Sequence, residues 1–192
     1  MFILNTIEKE DKKLATFKGV ALELLKKLGK EKPELEKKFL AKLSPEAKDI
    51  YIKAFNISRI PVKEGTEIKD VFAEVFFKSQ ASPIRHLGAI SAEHALRGVY
   101  RVFLRICSPA FVLSRVPNLW AAYYDKGRCL LGESSSHRSE VLLYDFPEIP
   151  PRLLEFVAGY ILGGVSVAGG KNVEVFKIED NPQIWKWVVT WE

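Results

Sequence analysis

The chain has 192 residues, 47% of them hydrophobic and 28% charged, with a net charge of +5. That balance excludes a disordered chain and leaves enough apolar residues for a buried core. The positive charge is concentrated between residues 81 and 115, where Arg85, Arg97, Arg101, Arg105 and Arg115 occur with a single acidic residue, Glu93. Such a local zone is not the dense basic stripe of a dedicated nucleic-acid binder, and no nucleic-acid partner is expected.

Residues 1–80 read as helical. From Lys12 to Lys27, Leu14, Phe17, Val20, Ala21, Leu24 and Leu25 recur at three and four, which predicts one helix stopped by Gly29. Pro33 opens a second helix carrying Leu35, Phe39, Leu40 and Leu43. Ser44 followed by Pro45 is an N-cap before a third, with Ala47, Ile50, Tyr51 and Phe55 inward. Residues Ile57 to Gly65 form a connector broken at Pro61. Thr66 then caps a fourth helix with Ile68, Val71, Phe72, Val75 and Phe76 inward.

A long helix is predicted from Pro83 to Cys107, ended by Ser108-Pro109, which starts a short helical turn through Ser114. The period then changes. Leu119 to Tyr124 is aromatic-rich and reads as a strand, Asp125-Lys126-Gly127 as a hairpin turn, and Arg128 to Leu131 as the return strand. Val141 to Phe146 is a third strand. Pro150-Pro151 opens an apolar helix ending at Gly169-Gly170. Val173 to Ile178 alternates, and Trp185, Trp187, Val189 and Trp191 fall on one side of a final strand. The fold class is α+β: a helical N-terminal half (1–80), then a region (81–192) with a largely antiparallel sheet of about five strands and a Gly-rich helix packed on it. The two regions are expected to form one compact domain.

The stretch SPAFVLSRVPNLWAAYYDKGRCLL, then LLYDFPEIPP, GYILGGVSVAGGKNVEVFKIED and WKWVVTW, between Ser108 and Glu192, resembles a family of myxobacterial paralogues. Those in turn resemble 4-vinyl-reductase-type domains and the wider superfold of haem nitric-oxide sensors and TRAPP transport subunits. The resemblance implies a fold that binds small hydrophobic or tetrapyrrole-like molecules, or partner proteins, and regulates something else. Haem sensors of that superfold carry a Tyr-x-Ser-x-Arg signature for the propionates. The nearest fragments here, Ser136-His137-Arg138-Ser139 and Tyr123-Tyr124-Asp125, do not match it. The cysteines that 4-vinyl-reductase-type domains carry near the last strand are missing from Glu179-Asp180-Asn181-Pro182. Haem and metal are both disfavoured on these grounds, and no cofactor is expected.

Three histidines occur, His86, His94 and His137. His86 and His94 lie eight apart, roughly 80° around a helix, so they do not form an i,i+4 metal pair. Ser134-Ser135-Ser136-His137 lacks a nucleophile elbow and reads as a polar hairpin edge. Cys107 and Cys129 make no disulfide framework, and Gly159-x-x-x-Gly163-Gly164 lacks the Lys-Ser/Thr of a phosphate loop. No catalytic constellation emerges, so an enzyme is not expected.

The candidate ligand-binding residues are of three kinds. Arg97, Arg101 and Arg105 make a ridge spaced at four, either a solvated face or a receptor for an anionic group. Trp120 and Tyr124 are strand aromatics that either fill the core or face an apolar ligand. Gly159 and Gly163 let another backbone or a ligand approach closely. These point to a non-enzymatic, sensor-like domain that binds a small apolar or anionic molecule in an apolar pocket between the long middle helix, the Gly-rich helix and the sheet. The alternative is a protein–protein adaptor without a small ligand. A homodimer is expected from the generous apolar helix and aromatic strands. The uncharged run from Phe156 to Gly170 is short of the ~20 residues of a membrane span. The start of the chain lacks secretory order, which predicts a cytoplasmic protein. Abundant Lys and Glu with only Gln80 and Gln183 lean towards a thermophilic source.

Overall fold

The structure is a computed structural model that describes residues 14–99, 108–181 and 183–192, with the side chains of 97–99 and 179–181 outside that description. The first helix predicted from Lys12 does not form as one piece. Thr16–Lys18 is a strand, β1; Gly19–Leu22 is a 3₁₀ turn; and only Glu23–Glu31 is helical, α1. Tertiary pairing overrides the local period here. β1 pairs antiparallel with Arg59–Pro61, β2, and Asp125 accepts hydrogen bonds from both the backbone N–H and the hydroxyl of Thr16, each at 2.6 Å. Gly19 completes the break, because a Cβ there would sit 2.0 Å from the carbonyl oxygen of Phe55.

Pro33–Leu40 (α2) and Pro45–Lys53 (α3) form where proline and the Ser44 cap place them. The Ser44 hydroxyl accepts from the Ala47 N–H at 3.2 Å and donates to Glu67 at 3.0 Å. The fourth helix, Val62–Phe76 (α4), starts four residues before its expected cap. Thr66 therefore lies inside it and donates its hydroxyl to the Val62 carbonyl at 2.7 Å, one turn back along the helix. Pro83–Val99 (α5) is the described part of the long middle helix; its expected continuation to Cys107 lies outside the described residues.

Pro109–Ser114 (α6) is capped by Ser108, whose hydroxyl accepts from the Phe111 N–H at 3.2 Å. The expected strand over Leu119 to Tyr124 is instead a helix, Val116–Tyr123 (α7), with Pro117 in its first turn. Aromatic composition favours strands, but Trp120 and Tyr124 are four apart and stack with ring centroids 4.2 Å apart, a helical pairing. Asp125-Lys126-Gly127 consequently joins a helix to a strand and is not a hairpin turn. The hairpin lies further on, between Arg128–Ser134 (β3) and Arg138–Tyr144 (β4), and the exposed Ser135, Ser136 and His137 are its tip.

Pro151–Val167 (α8) follows, then Glu174–Asn181 (β5) and Ile184–Thr190 (β6). The sheet has the order β3-β4-β6-β5, antiparallel throughout, and β1 with β2 forms a separate two-stranded ribbon. One sheet face is buried through Cys129, Val141, Leu143, Val175, Trp187 and Val189. A single apolar cluster runs from Phe17 to Trp191 and joins this face to the helices. α5 and α8 pack backbone to backbone along a glycine seam. A Cβ on Gly159 would lie 2.0 Å from the Arg85 carbonyl oxygen, and one on Gly163 would lie 2.3 Å from that of Ala89. Across the same seam the Arg85 guanidinium donates to Glu155 at 2.6 Å and to the Val175 carbonyl at 3.2 Å, tying both helices to β5. No helix among the described residues is long and apolar enough to cross a membrane.

Candidate functional site

A cavity of about 340 Å³ opens among the helices. α5 and α8 converge at the glycine seam, and α6 and α7 cross beside them. The space left between these four is closed by the start of α1 and by one side chain from α4. Leu24, Val112, Val116, Leu119, Val157 and Ile161 supply apolar wall, with Trp120, Tyr124 and Phe156 as aromatic wall. None of the described lining residues belongs to the four-stranded sheet, so the space lies within the helical layer and not between helices and sheet.

Two polar side chains in this wall carry chemistry. His94 lines the cavity from α5, one turn after Ser91, and no hydrogen bond to another described residue engages its ring. Lys69 reaches the cavity from α4. It is 1% exposed, and its Nζ has no hydrogen-bond partner among the described residues. The amine instead lies over the Phe17 ring at 4.1 Å and the Phe156 ring at 4.4 Å, with Tyr124 at 6.0 Å. Burial pushes its pKa down from 10.5 to about 7. Aromatic faces attract a cation but accept no conventional hydrogen bond, so they offset only part of the lost hydration. Burial also raises the Tyr124 hydroxyl above its ordinary range and moves the Cys129 thiol up to about 12, which leaves Cys129 an inert core residue.

The residues predicted from sequence are distributed as follows. Trp120 and Tyr124 line the cavity, Trp120 fixed by a 2.9 Å hydrogen bond from its indole N–H to the Lys126 carbonyl. Gly159 and Gly163 face the α5 backbone; Gly164, next to them, is the glycine that lines the cavity. Arg97 is on α5 with its side chain outside the described residues, and Arg101 and Arg105 lie outside them altogether. His86 sits edge-on to Phe77 at 4.8 Å, away from the cavity wall. Among the described residues no group of three or more His, Cys, Asp or Glu side chains is placed to hold a metal ion. Lys69 escaped the sequence reading altogether. A lysine on the inward face of α4, one residue after Ile68 and three before Phe72, was the available signal.

No family model and no curated protein matches the chain. Solved structures do. An Fe(II) unliganded H-NOX protein from K. algicida is 14% identical, with a TM-score of 0.61 over 91% of this chain and 96% of that one. A structure described by its study of modulating haem redox potential through protein-induced porphyrin distortion is 10% identical, with a TM-score of 0.60 over 90% and 97%. Another, from work on haem distortion in the H-NOX family, is 13% identical, with a TM-score of 0.58 over 91% and 92%. These likenesses give no support to the 4-vinyl-reductase-type, transport-subunit or myxobacterial resemblances. They also overturn the expectation that haem is disfavoured. That expectation rested on one missing propionate signature, whereas the match extends over nine-tenths of the chain and leads to haem proteins. The chain has the fold of the H-NOX domains, the haem nitric-oxide sensor fold.

Proposed function

We propose that this chain is a sensor-like, small-ligand-binding domain whose cavity takes a haem-type macrocycle with His94 as its axial donor. The observation that carries this reading is the placement of His94 in the wall of the helical cavity, in a fold shared with haem proteins. A neutral imidazole is a common proximal donor to haem iron. A cavity of about 340 Å³ is within the range of small-molecule and cofactor sites. Trp120, Tyr124 and Phe156 offer ring faces, and Leu24, Val116 and Ile161 exclude water. Bound haem would supply an iron centre able to take a diatomic gas. The chain's own part is to orient the donor nitrogen, keep the site dry and transmit occupancy through the helices that line it. The absent Tyr-x-Ser-x-Arg signature means that any carboxylates of the macrocycle are held by other residues.

Titration of the protein with haem tests the reading. A Soret band that saturates at one haem per chain, is lost in His94→Gly and returns with added imidazole supports it. Haem that adds no saturable band, or a band indifferent to His94→Gly, refutes it.

A further inference from the structure

Lys69 is the most anomalous side chain among those described. An isolated ammonium in an apolar site is costly unless something receives its charge and protons. Every other buried polar side chain on α4 has a partner: Thr66 donates to the Val62 carbonyl. Lys69 lies about one helical turn away, its Nζ without a hydrogen-bond partner among the described residues and set over the rings of Phe17 and Phe156. Buried polar groups in native proteins are satisfied in the great majority of cases, and an orphan beside a cavity points to a missing partner. The missing partner must accept hydrogen bonds and fit a space walled by Leu24, Phe156, Tyr124 and Ile161.

We propose that Lys69 is the carboxylate-receiving residue of the cavity, so that its natural ligand is an apolar molecule bearing a carboxylate. The amine, now closed off beneath the Phe17 and Phe156 rings, donates to one or both carboxylate oxygens once the Phe156 ring that lines the cavity shifts aside, and the apolar body of the ligand occupies the rest of the space. The low proton affinity that burial imposes fits this role. The amine is partly uncharged while the cavity holds no anion, and an arriving carboxylate draws it to the ammonium form. Among the described residues, the other ionisable groups in the wall are Glu23, His94, Tyr123, Tyr124 and Tyr160. None of them carries an amine or guanidinium. The carboxylate has two chemical sources, a tetrapyrrole propionate or the head of a fatty acid. The inference deepens the reading of the same cavity, and it stands or falls separately from the role given to His94.

The test uses two acid–ester pairs on the full chain: palmitate with methyl palmitate, and haem with its dimethyl ester. Binding is followed by quenching of tryptophan fluorescence, since Trp120 lines the cavity. The expected result is that at least one acid binds wild type ten-fold or more tightly than its ester. Lys69→Met should reduce that preference to about one while leaving the ester's affinity unchanged. Preference confined to palmitate identifies a fatty-acid-like ligand, and preference confined to haem identifies tetrapyrrole carboxylates. Equal binding of acid and ester to wild type in both pairs overturns the proposal, whether or not the variant folds. So does a preference that survives in Lys69→Met. If palmitate binds through Lys69 while haem gives no saturable Soret band, the carboxylate site stands and the haem reading fails. If haem binds through His94 with no acid preference, the outcome is reversed.

Discussion

Replacing Lys69 by methionine should stabilise the protein, and the gain should depend on pH in a defined direction. The amine's pKa falls from 10.5 in the unfolded chain to about 7 in the fold because burial strips its hydration. Between those values the unfolded state holds the proton and the native state does not, so stability rises with pH across that window. At pH 7 a shift of this size costs the native state up to about 4 kcal/mol, and about 2 kcal/mol of that is recovered by pH 9. Methionine fills a similar volume, carries no charge and keeps contact with Phe17 and Phe156. Urea unfolding followed by tryptophan fluorescence at pH 7, 8 and 9 reads both quantities. Wild type should gain stability over that range, and Lys69→Met should be flatter and more stable at pH 7. Above pH 9 the comparison is confounded by Cys129, whose raised pKa acts in the opposite sense. Parallel pH profiles for the two proteins would falsify the assignment of Lys69 as a desolvated, unpartnered amine.

Gly159→Ala should destabilise by about 2 kcal/mol or more in the same melts, because its methyl group would meet the Arg85 backbone and overpacking against backbone has no cheap relaxation. Gly164→Ala should instead be neutral or stabilising by up to about 1 kcal/mol from helix propensity, since its nearest neighbours would be Val112 and Leu96 side chains at 3.5 and 3.9 Å; a large loss of stability would contradict the open space beside it. Ser44→Ala should cost about 1 kcal/mol, the usual value of an N-cap, and an unchanged denaturation midpoint would mean that the Ala47 and Glu67 contacts contribute nothing. Asp70→Asn, which removes the charge but keeps an oxygen acceptor in the partly exposed Arg152 pair, should shift stability by no more than ~1 kcal/mol.

Helix ends marked by proline and a hydroxyl cap were legible from sequence, as at Ser44-Pro45 and Ser108-Pro109, because those devices act within one turn of chain. The alternating strands near the C-terminus were legible for a similar reason: period two is a property of the strand itself. Residues 12–28 misled because their apolar spacing fits a helix, while β1 is created by a partner strand more than forty residues away and by Asp125 more than a hundred away. The aromatic run before Asp125 misled because composition was weighed above spacing, although Trp120 and Tyr124 stand four apart. Of the candidate site, these two aromatics could be found from the chain alone. The histidine that lines the cavity, His94, has no carboxylate or thiol at ligand spacing in the sequence, so nothing local distinguishes it from a surface or half-buried histidine. Lys69 was hidden because a lysine on a helix rich in charged residues looks solvated until the fold places Phe17 and Phe156 around it.

The absent propionate signature and the shared fold constrain different things. A motif reports which side chains hold one part of one ligand, whereas the path of the backbone reports where a cavity forms and which helices enclose it. The glycine seam brings α5 and α8 backbone to backbone, and the cavity beside it is walled by both helices together with α6 and α7. His94 enters from α5 and Lys69 from α4, so a ligand that engages both bridges two helices joined in sequence by the short segment 77–82. Under the proposed reading, such a ligand would bias the placement of α4 against α5 only by the difference in its contact energy with two arrangements of them, which is the physical requirement for a domain that reports binding to something else.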